Sequence, residues 1–208
     1  MYRPGAFSED DPAVIRQIIR DARLATLVTA TSEGLIATPL PMFLIDEGPH
    51  GVLYGHVAKA NSQWKMPTTG EALALFSGPD AYISPSWYAS KNEHGKVVPT
   101  WNYVAVHVYG PVEFFEDEDR LYEIVTTLTN QYEAPREDRW AVTDAPEDFI
   151  RALLRGIVGF RLAITRIEGK RKLSQNRSAA DREGVISGLS QSDREDDHAI
   201  ADLIPKGD

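Results

Sequence analysis

Between Leu24 and Val57 the chain runs through four short apolar stretches, each the length of a strand and each bounded by turn-forming residues. They are Leu24 to Thr31, Leu35 to Leu40, Pro41 to Ile45 and Val52 to Val57. Ser32-Glu33-Gly34 separates the first two, which makes them a hairpin, and Asp46-Glu47-Gly48-Pro49-His50-Gly51 breaks the third from the fourth. So dense a succession of strands predicts a mainly β protein.

Helices are predicted at the periphery. Ser8-Glu9-Asp10-Asp11-Pro12 has the capping side chains, early acids and early proline of a helix start, followed by an apolar face of Val14, Ile15, Ile18 and Ile19. Asn61 to Met66 reads as one helical turn stopped by Pro67, and Ala72 to Phe76 returns to a strand. Tyr103 to Glu113 is the longest predicted β segment, with Val104, Val106 and Val108 on one side and Tyr103, Ala105, His107 and Tyr109 on the other, both sides covered. Asp117 to Tyr132 is helical, and Asp144-Ala145-Pro146-Glu147 resembles a capping box opening a helix through Leu154. Val158, Phe160, Leu162 and Ile164 alternate as a last strand. Ser178 to Asp181 and Ser192 to Glu195 look like N-caps of two surface helices, and the charges from Asp193 to Asp197 like a solvated helix face. The expectation is one domain over 1–208, a barrel closed by the strands from about 24 to 167, and a C-terminal helical extension over about 177–205.

Composition narrows the function. At 208 residues, 42% hydrophobic and 25% charged, the chain has globular proportions, and no apolar run approaches the roughly 18 residues of a membrane span. The N-terminus lacks the basic start and apolar middle of a secretory signal, which points to the cytoplasm. The absence of cysteine excludes disulfides, thiolate metal sites and cysteine nucleophiles, so redox chemistry must come from a bound cofactor. A formal charge of -9 disfavours direct DNA binding. The best basic patch, Lys170, Arg171, Lys172 and Arg177, also reads as a solvated turn.

Three stretches carry groups that a plain barrel does not need. In Gly55-His56-Val57-Ala58-Lys59-Ala60-Asn61-Ser62-Gln63-Trp64, a strand end presents His56, Lys59 and Asn61 as donors just before a short helix, a plausible phosphate cradle or else a capped turn. Tyr82 to Tyr88 and Val97 to Tyr103 interleave aromatics with Pro and Ser, suited to a planar heterocycle or to an aromatic dimer seam. Lys172-Leu173-Ser174-Gln175-Asn176-Arg177 packs polar donors around one apolar residue, as a phosphate or ring-carbonyl site or a surface loop does.

In order, these stretches resemble the PaiB family, the FMN-binding negative transcriptional regulators. The shared pieces are Met1-Tyr2-x-Pro4 with Phe7, Ala37-Thr38-Pro39-Leu40-Pro41, Gly55 to Asn61 with Trp64, Ile83-Ser84-Pro85-x-Trp87-Tyr88, Val98 to Tyr103, and Lys172 to Asn176. Ser62 departs from the pattern, which has proline there, and only turn geometry is at stake. The resemblance implies an FMN-binding split β-barrel with N-terminal and C-terminal helices, assembled as a homodimer with FMN at the subunit interface. It places His56, Lys59 and Asn61 at the phosphate, Thr38 along the flavin edge with Trp64 nearby, Trp101 and Asn102 on the partner chain, and Lys172, Gln175 and Asn176 close to the cofactor.

Two functions follow from it: a regulator acting directly or indirectly on transcription, or an FMN-dependent oxidoreductase of the flavin reductase or pyridoxamine phosphate oxidase kind, with a small substrate near Trp87, Tyr88 and Trp101. No acid or base can be assigned; His107, alone on its strand, reads as structural. Haem ligation by His56, His94 or His198 lacks supporting context, and no metal site is expected.

Overall fold

A computed structural model describes residues 1–207. In chain order its elements are β1 (Ser8–Glu9), α1 (Pro12–Asp21), β2 (Ala25–Thr31), β3 (Gly34–Leu40), β4 (Met42–Ile45), β5 (Val52–Ala58), β6 (Ala72–Ile83), α2 (Ser90–His94), β7 (Thr100–Gly110) and β8 (Val112–Phe115). There follow α3 (Glu118–Glu133), α4 (Glu147–Leu154), β9 (Ile157–Ala163), β10 (Arg166–Lys172), α5 (Ala179–Leu189) and α6 (Glu195–Leu203). The chain is mainly β with helices, its strands form two antiparallel sheets, and it divides into two compact units.

The unit built from Ile19–Phe76 and His107–Ile167 contains the predicted run of strands. β2 and β3 pair in full register from Ala25↔Leu40 to Thr31↔Gly34, as Ser32-Glu33 at the turn requires, and β2 pairs on its other edge with β6. A second sheet runs β4-β5-β9-β8. Alternation decides its faces: Leu53, Val57, Val158, Phe160 and Leu162 are buried, and Phe43, Leu121, Ile124 and Leu128 join sheet and α3 in smaller clusters. The stretch from Tyr103 to Glu113 is not one strand. β7 stops at Gly110, and Pro111, which has no N–H for a ladder, marks the switch to β8, which pairs with β9. A Cβ on Gly110 would lie 1.9 Å from the Ala163 carbonyl oxygen, so this crossing needs glycine. The longest strand is β6, of 12 residues. Asp144 does not cap α4: its carboxylate accepts from the Ala141 N–H in the preceding 3₁₀ turn, and Pro146 precedes the helix.

The other unit comprises Met1–Ile18, Ser77–Val106 and the chain from Glu168 onward. Here β10 is a strand that the sequence hides, since Arg166, Glu168, Lys170, Arg171 and Lys172 leave no apolar alternation to read. It pairs with β1 at Ser8↔Lys170 and Glu9↔Gly169, so β9 is not the last strand. The C-terminal helices are not surface additions either. Val185, Leu189, Ile200, Ala201 and Ile204 are buried with Ala81, Ile83, Tyr88, Val104 and Leu173 in one core. Gly184 and Gly188, one turn apart on α5, make the close contact possible, because a Cβ at either would strike the Trp87 backbone or indole. Ser178 caps α5 through the Asp181 N–H (3.2 Å), and buried Asp181 accepts from the N–H and hydroxyl of Ser90 (2.9 Å each). Ser192 is no N-cap: α6 starts after Arg194, whose N–H donates to the Ser192 hydroxyl. No helix of the described residues is long and apolar enough to cross a membrane.

Candidate functional site

The ten residues singled out by sequence fall into two groups. Thr38, His56, Lys59, Asn61 and Trp64 belong to the first unit described, and Trp101, Asn102, Lys172, Gln175 and Asn176 to the second.

In the first group, strand geometry sets His56 and Tyr54 on one side of β5 and Leu53, Gly55 and Val57 on the other. The strand ends at Ala58, and a short turn leads to a 3₁₀ helix, Ser62–Lys65. The predicted helix start exists but is internally satisfied, since Asn61 Oδ1 already accepts from the Gln63 N–H (2.9 Å). Asn61 Nδ2 donates to Thr38 Oγ1 (2.9 Å), and Thr38 Oγ1 donates to Gln63 Oε1 (2.6 Å). Gln63, fully buried, donates in turn to the Leu27 carbonyl, Thr29 Oγ1 and the Ile36 carbonyl. Thr38 and Asn61 are therefore parts of a polar network centred on Gln63, which the sequence reading passed over. Its one signal was a polar residue between a strand end and Trp64.

His56 and Lys59 stand outside this network. His56 Nδ1 is buried without a hydrogen-bond partner, and burial holds the imidazole pKa below its ordinary value, so the ring is neutral near pH 7. Lys59 is exposed, and its ammonium meets Glu116 Oε1 at 2.5 Å. Trp64 Nε1 donates to the Lys59 carbonyl (3.1 Å) and fixes the turn.

The second group is more unevenly available. Asn102 is fully buried and donates through Nδ2 to Ser174 Oγ (3.0 Å). Gln175 folds back on its own loop, accepting from the Leu173 N–H and donating to the Arg171 carbonyl. Ser174 takes a φ of 60° to allow this tight return. Asn176 is exposed, and Trp101, 52% exposed, meets Tyr82 edge to face at 5.9 Å. Lys172 Nζ donates to Thr100 Oγ1 and to the Trp101 carbonyl (2.7 Å). Burial lowers its pKa, with Lys170 and Arg177 acting in the same direction and Tyr103 opposing them.

The basic stretch is thus no solvated turn. Lys170 is 6% exposed, donates to the Tyr2 carbonyl and lies over the Tyr2 and Tyr103 rings, whereas Arg171 pairs with Glu9 (3.4 Å). His94 Nδ1 accepts from the Lys96 N–H, and His198 Nε2 meets the Ser192 carbonyl. Among the described residues no cluster of three His, Asp or Glu side chains is placed to hold a metal.

A family model described as "Putative FMN-binding domain" matches residues 1–166. The chain is 34% identical to protease synthase and sporulation protein PAI 2 of Bacillus subtilis, over 98% of this chain and 96% of that protein. It is 32% identical to protein AN0679 of Emericella nidulans over the same shares. Among solved structures, the flavocytochrome Anf3 of Azotobacter vinelandii superposes with a TM-score of 0.59 at 17% identity, covering 82% of this chain and 72% of that one. The FAD and haem binding protein of Mycobacterium smegmatis gives 0.57 at 13% identity, covering 87% and 80%, and these two likenesses concern the fold alone. Family match and PAI 2 identity agree: the chain belongs to the FMN-binding family that includes PAI 2, and FMN is its cofactor.

Proposed function

We propose that this protein is an FMN-binding regulator of the PaiB type, working as a homodimer of split barrels with FMN between subunits. The observation that carries the regulatory reading is the 34% identity, along nearly the whole chain, to a relative named for sporulation and protease synthesis rather than for a reaction. With a charge of -9, the chain acts on its target through a partner or through the flavin's redox state rather than by broad contact with DNA.

The residues present suit FMN. A buried imidazole nitrogen without a partner and an exposed ammonium three residues later are what a phosphate ester needs: a hydrogen-bonding group and a countercharge. Lys59 neutralises the phosphate, His56 hydrogen-bonds to it, and the Gln63 network holds Thr38 and Asn61 rigid beside it. From the partner subunit, Trp101 supplies a flat wall and Lys172 a cation for the ring system, while Asn102 and Gln175 position that loop without reaching the cofactor themselves. When bound, FMN supplies hydride or electron transfer.

The second reading, an oxidoreductase, is favoured by the exposed Tyr82–Trp101 pair, which offers a small substrate a surface for stacking. An absorbance spectrum of the protein as purified, then with FMN, then with NADH or NADPH, separates the two. Flavin bands that persist with a nicotinamide support the regulator, bleaching supports the oxidoreductase, and the absence of any bound flavin overturns both. Sedimentation analysis showing only monomer in the FMN-loaded protein overturns the interface site.

A further inference from the structure

Although the chain is acidic, it holds a group of cations that no carboxylate answers. Lys170, Lys172 and Arg177 lie in one unit, and among the described residues no carboxylate pairs with any of them. Of the nearby acids, Glu9 pairs with Arg171 and Glu168 with the N-terminal ammonium, while Asp181, close to Tyr88, is held by the neutral donors of Ser90 rather than by a cation. What the three cations have instead are neutral acceptors and ring faces. Lys170 has the Tyr2 carbonyl with the Tyr2 and Tyr103 rings at 5.6 and 5.1 Å, Lys172 has Thr100 and the Trp101 carbonyl, and Arg177 has the Tyr88 ring at 4.6 Å.

Burying an ammonium without a counter-ion is costly, and holding three cations together adds repulsion. The Arg177 guanidinium also reaches the Tyr88 hydroxyl, which has no other partner, so this cation too meets only a neutral side chain. An anion would relieve the repulsion. Next to these charges stand the exposed rings of Tyr82 and Trp101, and Lys172 ties the two features by its bond to the Trp101 carbonyl.

We propose that Lys170, Lys172 and Arg177 receive the charged group of a small aromatic anion, a ring bearing a phosphate or carboxylate, whose ring stacks on Trp101 and Tyr82. This anion is the second ligand of the flavin site, its substrate or effector, and so the inference rests on the FMN reading above. Arg177 has no part in holding FMN; its task is the second ligand.

The test titrates FMN-loaded protein calorimetrically with phenyl phosphate, benzoate and phenol. Phenyl phosphate or benzoate binds about tenfold or more tighter than phenol, because charge-assisted bonds are absent from the neutral probe. Whichever anion is preferred names the charged group. Arg177→Gln weakens that anion about fivefold or more and leaves FMN affinity within about twofold. Lys172→Met, as a second variant, also weakens the anion, so a folding defect confined to one variant does not decide the matter. Equal binding of phenol and both anions, or anion binding unchanged in both variants, overturns the inference. Anion binding to FMN-free protein that vanishes on loading also overturns it, by showing that FMN itself occupies the place proposed for the second ligand. Protein that takes up no FMN, yet binds phenyl phosphate through Arg177, overturns the FMN reading and keeps the anion site.

Discussion

The chain has two donor-rich loops, Lys59 to Gln63 and Lys172 to Asn176, and they use their amides alike but their lysines differently. In both, the amides are turned inward: Asn61 and Gln63 join Thr38, and Gln175 and Asn102 brace the loop around Ser174. Lys59 faces one carboxylate at the surface, whereas Lys172 sits half-buried among other cations and neutral acceptors. The amides shape each loop, and the charges determine what it can bind. A loop dense in Asn, Gln and Ser therefore says more about rigidity than about ligand contacts, which fall to the lysines and to the partnerless His56 Nδ1.

The largest effect that would break this comparison is at Gln63. Gln63→Leu strips buried partners from the Leu27 and Ile36 carbonyls and from Thr38, so denaturant unfolding should show a loss of about 3 kcal/mol or more. A loss below about 1 kcal/mol would mean that the network does not set the loop. Comparable in size is Leu189→Ala, expected to cost about 2–5 kcal/mol because α5 fills the core of its unit. An unchanged melting temperature there would return the C-terminal helices to the surface.

That second prediction marks where the sequence was misleading. The strands from Ala25 to Ala58, α3 and β9 were legible because alternation or helical periodicity was intact and turn residues stood at their ends. β10 was not, because a strand carrying Arg166, Glu168, Lys170, Arg171 and Lys172 shows charges at nearly every position, and only pairing with β1 reveals it. α5 was misjudged because glycines at 184 and 188 dilute the apolar face, although they are what lets Trp87 approach, and α6 because Glu195, Asp196 and Asp197 fill its first turn. At the site, residue types were legible and their commitments were not: no spacing shows that Asn61 bonds to Thr38 across 23 positions, or that Glu116 reaches Lys59.

Smaller effects sharpen the contrast between the lysines. Glu116→Gln frees Lys59 and should tighten FMN binding about two- to fivefold, with less effect at high salt, since an exposed ion pair is worth at most about 1 kcal/mol. Riboflavin, without the phosphate, should not respond. His56 gives the smallest effect. Its lowered pKa means that the unfolded chain binds the proton more readily, so its contribution to stability is present above the unfolded value near 6.5 and declines as pH falls through the folded pKa. Unfolding curves between neutral and mildly acidic pH should show this decline in the parent chain and a shallower one in His56→Gln; equal slopes would remove His56 from the account.

The most direct test is flavin fluorescence quenching with FMN and with riboflavin, in the parent protein and in Lys59→Met. Lys59 as phosphate countercharge predicts that the parent prefers FMN and that the variant loses about tenfold in FMN affinity while riboflavin binding is unchanged. Equal affinity of the parent for both flavins, or an FMN preference that survives in Lys59→Met, would contradict it.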